Sequence, residues 1–390
     1  MSNSEKDLFI LRQQLPLEQK IQMSVTRLID WIEYWENYDE QNDNAPDHPV
    51  YLAVSGGKDS HVVGDLVYRF LPKKYHNRIL MVFSNTGLEM PEIVKHVRDE
   101  LISNQGWPIV QIRPKRTYQE VWKEEGIPLV SKKVARQIRT LKAGPTGGGF
   151  TYRLYDEGIN KNGQSAPRWK LAKKWRHLID NPNIKTTEKC CDALKKDPIK
   201  DFEKEYGMKG RSITGMMASE GGYRSGMTKC NVFDGKTTRS SPILFWTESD
   251  IWEYVNKYNV KICEVYYRRA FDDSGNCVAS DWPYSDLPTF DEFRRSKPML
   301  NQIKGDAKAN EHYGTYAVFE DWSDSKKKYT MIHGEHRTGC MFCAFGAHLE
   351  KGANRFQKMS VSHPRQHSIV MDRIGMREPL ELINVKVTFD

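Results

Sequence analysis

The spacing of hydrophobic residues changes along the chain, and each change predicts an element of structure. From about Leu8 to Tyr38, apolar residues recur at helical spacing, which predicts an amphipathic helix packed on the main domain. Short apolar runs then alternate with helical patterns. They predict strands at Val50–Val54, Ile79–Phe83 and Trp107–Ile112, and helices at Asp59–Phe70 and Pro91–Ser103. This order predicts an α/β fold whose parallel sheet has helices on both faces and right-handed crossovers.

The second half of the chain is less regular. A Gly-, Lys- and Asn-rich stretch at 142–167 predicts a mobile loop or a hairpin insertion, and a helical segment at about 169–178 follows it. Ser212–Thr214 is predicted to end a strand, and Glu248–Tyr258 to form a helix capped by Thr247. Clustered Asp, Ser, Pro and Trp residues from about 270 to 334 predict an inserted subdomain.

These patterns divide the chain into three segments. They are an N-terminal helical segment at 1–45, an α/β domain at 46–265 with a basic insertion at about 142–180, and an irregular C-terminal region at 266–390. A hydrophobic content of 38% excludes wholesale disorder, and no apolar run approaches the roughly 20 residues that span a bilayer. Because the N-terminus also lacks the apolar core of a signal peptide, we expect a cytoplasmic protein without a membrane segment.

Positive charge is concentrated in one region. The chain has a net charge of +8, and between Arg113 and Arg176 sixteen Lys and Arg residues face five Asp and Glu residues. Such a surface attracts polyanions, which favours DNA or tRNA as a partner; a solvated basic face on an enzyme with small phosphorylated substrates remains the alternative. Six aromatic residues in the region are candidates for stacking on bases, although most aromatics at such spacing form a core: Tyr118, Trp122, Tyr152, Tyr155, Trp169 and Trp175.

The first predicted strand runs directly into the sequence Ser55-Gly56-Gly57-Lys58-Asp59-Ser60. Paired glycines allow a tight turn that presents backbone N–H groups to an anion, and the following helix adds the positive end of its dipole. The two serine hydroxyls and the Lys58 charge add further donors, and Asp59 is placed to hold a phosphate-bridging Mg²⁺. The spacing differs from a Walker A motif. The sequence therefore predicts a phosphate-binding loop.

The loop resembles the PP-loop motif of N-type ATP pyrophosphatases, which cleave ATP between the α and β phosphates. Two further segments resemble the PAPS-reductase-like superfamily, namely Asn85-Thr86-Gly87 with Pro91-Glu92, and Ile213-Thr214-Gly215 followed by Glu220 and Arg224. The resemblance implies a Rossmann-like adenine-nucleotide alpha-hydrolase (HUP-type) fold. It implies that Lys58, Asp59 and Ser60 are catalytic, and it also implies a set of residues that bind ATP: Ser55, Gly56, Gly57, Lys58, Asp59, Ser60, Asn85, Thr86, Gly87, Gly215 and Arg224.

Four of the seven cysteines form two close pairs, Cys190-Cys191 and, roughly 150 residues later, Cys340-x-x-Cys343. Four thiolates suit either Zn²⁺ or an iron–sulfur cluster. Adjacent cysteines fit one tetrahedral zinc ion poorly but reach two irons of a cubane. The layout also resembles the site of assimilatory adenylylsulfate reductases, which implies a [4Fe–4S] cluster on these four cysteines.

Two departures from the sulfonucleotide reductases indicate a different chemistry. Those enzymes carry a nucleophilic cysteine near the C-terminus and tend to lack the loop lysine, whereas here no cysteine follows Cys343 and Lys58 is present. The resemblance to tRNA thiolases and DNA-phosphorothioation proteins then implies adenylation of an acceptor, release of pyrophosphate, and transfer of sulfur from a cysteine desulfurase or another donor.

Two other functions stay open. One is reduction of, or sulfur transfer from, APS or PAPS with an external thiol in place of the missing cysteine. The other is a non-catalytic regulator or defence component that senses a nucleotide and binds DNA.

Overall fold

A computed structural model describes residues 3–43, 46–234, 238–272, 274–281, 316–320, 328–332, 334–335, 338–350 and 353–389. The chain forms two compact units, each made of two separate stretches. Unit 1 comprises Met1–Lys115 and Lys195–Cys263, and unit 2 comprises Arg116–Leu194 and Glu264–Asp390. The division into 1–45, 46–265 and 266–390 stays a prediction, and most of the predicted insertion at 270–334 lies outside the described residues.

The strands are β1 (Val50–Val54), β2 (Ile79–Ser84), β3 (Ile109–Ile112), β4 (Leu129–Val130), β5 (Ser212–Ile213), β6 (Asn231–Val232), β7 (Arg239–Ser240), β8 (Arg268–Phe271), β9 (Cys277–Asp281), β10 (Tyr316–Glu320), β11 (Lys328–Ile332) and β12 (Ala344–Phe345). The helices are α1 (Asn3–Gln13), α2 (Leu17–Gln41), α3 (Lys58–Phe70), α4 (Pro91–Lys95), α5 (Tyr118–Glu125), α6 (Lys132–Lys142), α7 (Gly144–Asp156), α8 (His177–Asp180), α9 (Asp197–Glu205), α10 (Glu248–Lys257), α11 (Arg355–Ser362), α12 (Pro364–Ser368) and α13 (Arg377–Glu381).

Unit 1 is built on a six-stranded sheet in the order β3-β2-β1-β5-β7-β6. Its neighbouring strands pair in parallel, except that β6 runs antiparallel to β7. Tyr51, Leu80 and Val82 form part of one face and pack against Phe202 of α9, while α2 and α3 also contact β1. A mostly parallel sheet flanked by helices confirms the predicted α/β fold class.

The N-terminal helical pattern forms two helices, because Pro16 interrupts it before α2 begins at Leu17. Buried ion pairs attach α2 to the rest of unit 1. Lys20 Nζ lies 2.7 Å from an Asp250 carboxylate oxygen, and Arg211 Nη1 lies 2.5 Å from Asp39 Oδ2. The prediction that this helical segment packs on the main domain is confirmed.

In unit 2, the prediction of a loop or hairpin at 142–167 is wrong for its first half, since α7 occupies Gly144–Asp156. The helix is kinked at Gly149, which has a non-helical φ of 54°, so its glycines still interrupt the helix locally. Tyr155 is buried, and a Cβ atom on Gly148 would lie 3.1 Å from Thr140 Cγ2, so a small residue allows α6 and α7 to approach closely. A bridge between Ile159 and Ser165 then forms a short hairpin, as predicted for the second half.

Unit 2 also contains two further sheets. One is a four-stranded antiparallel sheet in the order β10-β11-β8-β9, and the other is the parallel pair β4 and β12. Within the described part of the whole chain, no helix has the length and apolar character needed to cross a membrane.

Candidate functional site

The predicted phosphate loop connects the carboxyl end of β1 to the first turn of α3. Gly56 adopts a φ of 71°, and a Cβ atom there would lie 2.7 Å from Ile93 Cγ2, so glycine is required both by conformation and by space. Ser60 Oγ donates to the Gly57 carbonyl at 3.0 Å and accepts from the Ser55 N–H at 3.0 Å. These bonds fix the turn at the N-terminus of a 13-residue helix, which is a favourable position for a phosphate group.

Lys58 is held at the start of α3 by opposite charge. Its side chain is only 3% exposed, and its Nζ lies 3.4 Å from Asp59 Oδ1 and 3.5 Å from Glu248 Oε1. The ring of Trp252, one turn further along α10, has its centroid 6.0 Å from the same nitrogen. The loop lysine therefore already lies in a charged, partly enclosed environment.

Asp59 has the features expected of a cation ligand. Burial raises the pKa of its carboxyl group above the ordinary value, and the charges of Glu220 and Glu248 act in the same direction, while Lys58 opposes them. The buried Oδ1 atom forms the ion pair with Lys58 but accepts no hydrogen bond from the described residues. A buried carboxylate oxygen with spare acceptor capacity beside a phosphate loop fits a hard cation such as Mg²⁺.

Strand β5 brings Gly215 against the loop from one side. A Cβ atom at this position would lie 2.8 Å from the Asp59 carbonyl carbon and 2.8 Å from the Ser60 nitrogen, so only glycine allows this approach. Arg224 follows in the same segment and forms an ion pair with Glu220. Glu220 also accepts a hydrogen bond from the Met217 N–H at 3.1 Å, which ties the segment together.

Strand β2 brings the Asn85-Thr86-Gly87 segment to the same edge of the sheet on the other side of β1. Gly87 has a φ of 76°, and its N–H donates to Asn85 Oδ1 at 3.1 Å. Thr86 donates to the Glu89 carboxylate through both its N–H at 2.9 Å and its hydroxyl at 2.7 Å. Since β2, β1 and β5 are parallel neighbours, the predicted nucleotide-binding segments all lie at one carboxyl edge, where α/β sheets bind ligands.

The four paired cysteines all belong to unit 2. One short segment, residues 127–130, positions both pairs. Ile127 bridges to Thr186, shortly before Cys190, and β4 pairs with β12, which begins immediately after Cys343. A hydrogen bond with Cys191, burial, and the charges of Cys191, Cys343 and Cys340 raise the pKa of the Cys190 thiol. The four thiols therefore lie within one another's electrostatic field.

The cysteine side chains are not arranged as a finished metal site. Among the described residues, no three His, Cys, Asp or Glu side chains form a group that could hold a metal ion. None of the seven cysteines forms a disulfide. Arg355 donates to the Cys343 carbonyl at 2.8 Å and brings positive charge close to Cys343. Four soft sulfur donors beside a cation fit a thiolate-bound metal or cluster in chemistry, and side-chain movement is required for ligation.

Glu248, Trp252 and Arg355 had no role in the site predicted from the sequence. Glu248 and Trp252 lie nearly 200 residues after Lys58, and only the pairing of strands and helices brings them to the loop. One sequence signal for α10 was the Thr247 cap, which is confirmed and fixes where the helix begins. An acidic residue in the first turn of that helix could have been considered as a partner of a nearby lysine.

Comparison with known proteins identifies the family. The family model described as phosphoadenosine phosphosulfate reductase domain matches residues 148–342, half of the chain. No curated protein matches the chain. The solved structure of phosphoadenylyl-sulfate (PAPS) reductase from Candida auris, phosphate complex, is 13% identical with a TM-score of 0.32, covering 59% of this chain and 82% of that chain. That similarity is too low to support a conclusion. On the family model, the chain belongs to the phosphoadenosine phosphosulfate reductase domain family.

Proposed function

We propose that the chain is an ATP pyrophosphatase that adenylates an acceptor and couples this reaction to sulfur transfer, with nucleic acid as the acceptor. The family supports a nucleotide-related sulfur-transfer or reductase enzyme. The observation that carries the finer proposal is the phosphate loop. Its Lys58 and Asp59 stand together at the N-terminus of α3, between two neighbouring segments at the carboxyl edge of the sheet.

In the first step, an acceptor oxygen attacks the α-phosphorus of ATP. The bond from that phosphorus to the bridging oxygen breaks, and pyrophosphate leaves. Lys58 and the N–H groups at the start of α3 stabilise the negative charge that develops on pyrophosphate. Mg²⁺ held by Asp59 would neutralise further phosphate charge. Ser55 and Ser60, which hold each other at 3.0 Å through their hydroxyl groups, keep the loop in the binding conformation.

In the second step, a sulfur nucleophile attacks the activated atom of the acceptor. A bond to sulfur forms, and AMP leaves with the acceptor oxygen. Sulfide or a thiol needs only to lose its proton to solvent; a persulfide from a cysteine desulfurase also needs two electrons from an external thiol. A [4Fe–4S] cluster on Cys190, Cys191, Cys340 and Cys343 would supply a soft site for sulfur.

Lys58→Ala tests the proposal directly. We expect loss of pyrophosphate release from Mg-ATP by at least about a hundredfold, because a charge that stabilises the leaving group is removed. Lys73→Ala, an exposed lysine of the same unit, is the matched control and should leave the rate unchanged. Equal pyrophosphate release by wild type and Lys58→Ala would remove the loop from the reaction.

The family description favours one second candidate, reduction of a sulfonucleotide with an external thiol. This function predicts tight binding of APS or PAPS and indifference to ATP. Competition between PAPS and labelled ATP, followed by assays for sulfite and for pyrophosphate, separates the two. Sulfite without pyrophosphate would favour the reductase, and ATP binding without either product would favour a nucleotide-sensing protein.

A further inference from the structure

We propose that an exposed surface of unit 2 around Trp169 binds single-stranded nucleic acid. The surface, called the Trp169 patch, consists of Lys132, Lys133, Arg168, Trp169 and Lys170. This inference rests on the proposed function in one respect, the use of nucleic acid as acceptor, and it adds the binding surface and the strandedness of the partner.

In the basic region, Trp169 and Phe150 are exposed, whereas several other aromatic residues are buried. Trp122, Tyr155 and Trp175 are buried in unit 2, and Tyr118 packs edge-on against Trp122. Trp169 keeps 39% of its surface exposed. A large aromatic ring that is partly exposed to solvent is the kind of side chain on which bases stack.

The backbone that carries Trp169 is fixed on α6. Gln137 Nε2 donates to the Trp169 carbonyl at 2.5 Å, and Lys133 Nζ donates to the Arg168 carbonyl at 2.5 Å. The Trp169 N–H donates to the Ala166 carbonyl at 2.9 Å and closes a short turn after Pro167. A side chain carried on a backbone held in this way loses less conformational entropy when a ligand stacks on it.

Cations surround the exposed ring. Lys133 Nζ lies 5.3 Å and the Arg168 guanidinium carbon 5.9 Å from its centroid, and Lys132 and Lys170 are exposed beside them in the sequence. Between residues 132 and 174, eleven Lys and Arg residues face two acidic residues. Such an excess of positive charge next to a stacking platform matches a phosphate backbone that carries unpaired bases.

Some cations of the region are already committed to the fold. Arg139 pairs with Glu188 at 2.7 Å, Arg153 pairs with Glu157 at 3.4 Å, and Lys142 donates to the Asn181 carbonyl at 2.6 Å. Around Trp169, Lys132, Arg168 and Lys170 have exposed side chains that add positive charge for a ligand, while Lys133 also donates to the Arg168 carbonyl. A duplex hides the faces of its bases, so the ring favours a single strand over a duplex.

Fluorescence anisotropy with the full chain tests the inference. The probes are fluorescein-labelled oligo(dU) and oligo(U) of about 20 nucleotides and a duplex of the same length, titrated at low and at physiological salt. We expect tighter binding of a single strand than of the duplex, and preference between the two oligomers identifies the sugar. Trp169→Ala should weaken single-strand binding about tenfold, and Trp169→Phe should restore most of it.

Lys133→Ala and Lys170→Ala should each lower the salt dependence of binding by about one phosphate contact, while Lys73→Ala in unit 1 should not. Unchanged affinity of Trp169→Ala, or equal affinity for duplex, would overturn the inference and leave the adenylation proposal intact. A further contrary result is that wild type and Trp169→Ala bind phosphatidylserine vesicles and oligomers equally well. That result would overturn the inference, because the surface would then be a general polyanion binder. If the wild-type chain binds oligomers but releases no pyrophosphate from Mg-ATP, that result would count against the proposed function alone.

Discussion

At the scale of single residues, the loop lysine of unit 1 shares its charge with two carboxylates. Glu248 lies 3.5 Å from Lys58 and raises the pKa of Asp59, and its own side chain is 49% exposed. The triphosphate of ATP would have to compete with Glu248 for Lys58 and would also come close to the negative charge of Glu248. Glu248 therefore disfavours nucleotide binding in the arrangement seen here.

We expect Glu248→Gln to tighten Mg-ATP binding by up to about fivefold, since half-exposed ion pairs are worth at most about 1 kcal/mol. Isothermal titration calorimetry measures the change. Glu253→Gln, an exposed residue of the same helix, is the matched control and should not alter affinity. Weaker binding in Glu248→Gln would show that Glu248 instead holds the cation.

His61 and His96 form a neighbouring pair of histidines, of which His61 is fully buried. His61 Nδ1 and His96 Nε2 lie 3.2 Å apart, and burial lowers the pKa of His61 to about 3 and that of His96 to about 4. Both stay neutral in the folded chain, so the unfolded chain gains protons first as pH falls below about 6.5. The contribution of these neutral histidines to the free energy of unfolding is therefore full above about pH 6.5 and is lost as the pH falls below it.

The loss should amount to about 1 kcal/mol per histidine between pH 6.5 and 5.5. Glu100 near His96 opposes it in part. Urea unfolding of wild type and His96→Gln at both pH values measures the effect, and the variant should show a smaller loss. An identical pH dependence of stability in wild type and variant would exclude His96 as a source of the loss.

At the scale of elements, the segment after α5 positions both cysteine pairs. Gly126 has a φ of 99°, and a Cβ atom there would lie 2.5 Å from the Lys185 carbonyl carbon. A side chain at this position must displace the strand-like contact between 127 and 186, and with it Cys190 relative to Cys343.

Gly126→Ala should therefore lower stability by about 2–4 kcal/mol and, on the proposed cluster site, also lower the iron content of the purified protein. Gly163→Ala is a close control, because Gly163 also has a positive φ, 76°, but nothing lies within 4 Å of its Cβ position. Thermal unfolding and metal analysis of the two variants separate backbone strain from the clash. Equal losses of stability and of metal in the two variants would mean that the close approach to Lys185 is not needed.

Elements with strong local signals were predictable, and those that depend on distant packing were not. Strand β1 occupies the predicted residues, and the Thr247 cap begins α10 where expected. Helix α7 was missed because its glycines favour a loop locally. Gly149 does kink the helix, while a side chain at Gly148 would crowd Thr140. The Lys20–Asp250 pair joins residues 230 positions apart, and no local pattern encodes such a contact.

At the scale of the whole molecule, each unit combines two stretches that are far apart in sequence. This explains why the candidate site was only partly predictable. The phosphate loop is contiguous and was visible as a motif, as were the two cysteine pairs. That Cys190 and Cys343 belong to one unit, and that Glu248 reaches Lys58, follows from the topology and not from spacing along the chain.

The metal content of the whole chain decides what the cysteines do. Protein purified without air should contain about four iron atoms and four acid-labile sulfides per chain. Cys191→Ser should lose them while keeping nucleotide affinity, because the phosphate loop belongs to unit 1 and the cysteines to unit 2. Cys277→Ser, an exposed cysteine outside the two pairs, should keep both iron and affinity. Zinc in place of iron would give the four thiols a structural role, and adenylation at Lys58 would then need a sulfur donor that delivers directly to the acceptor.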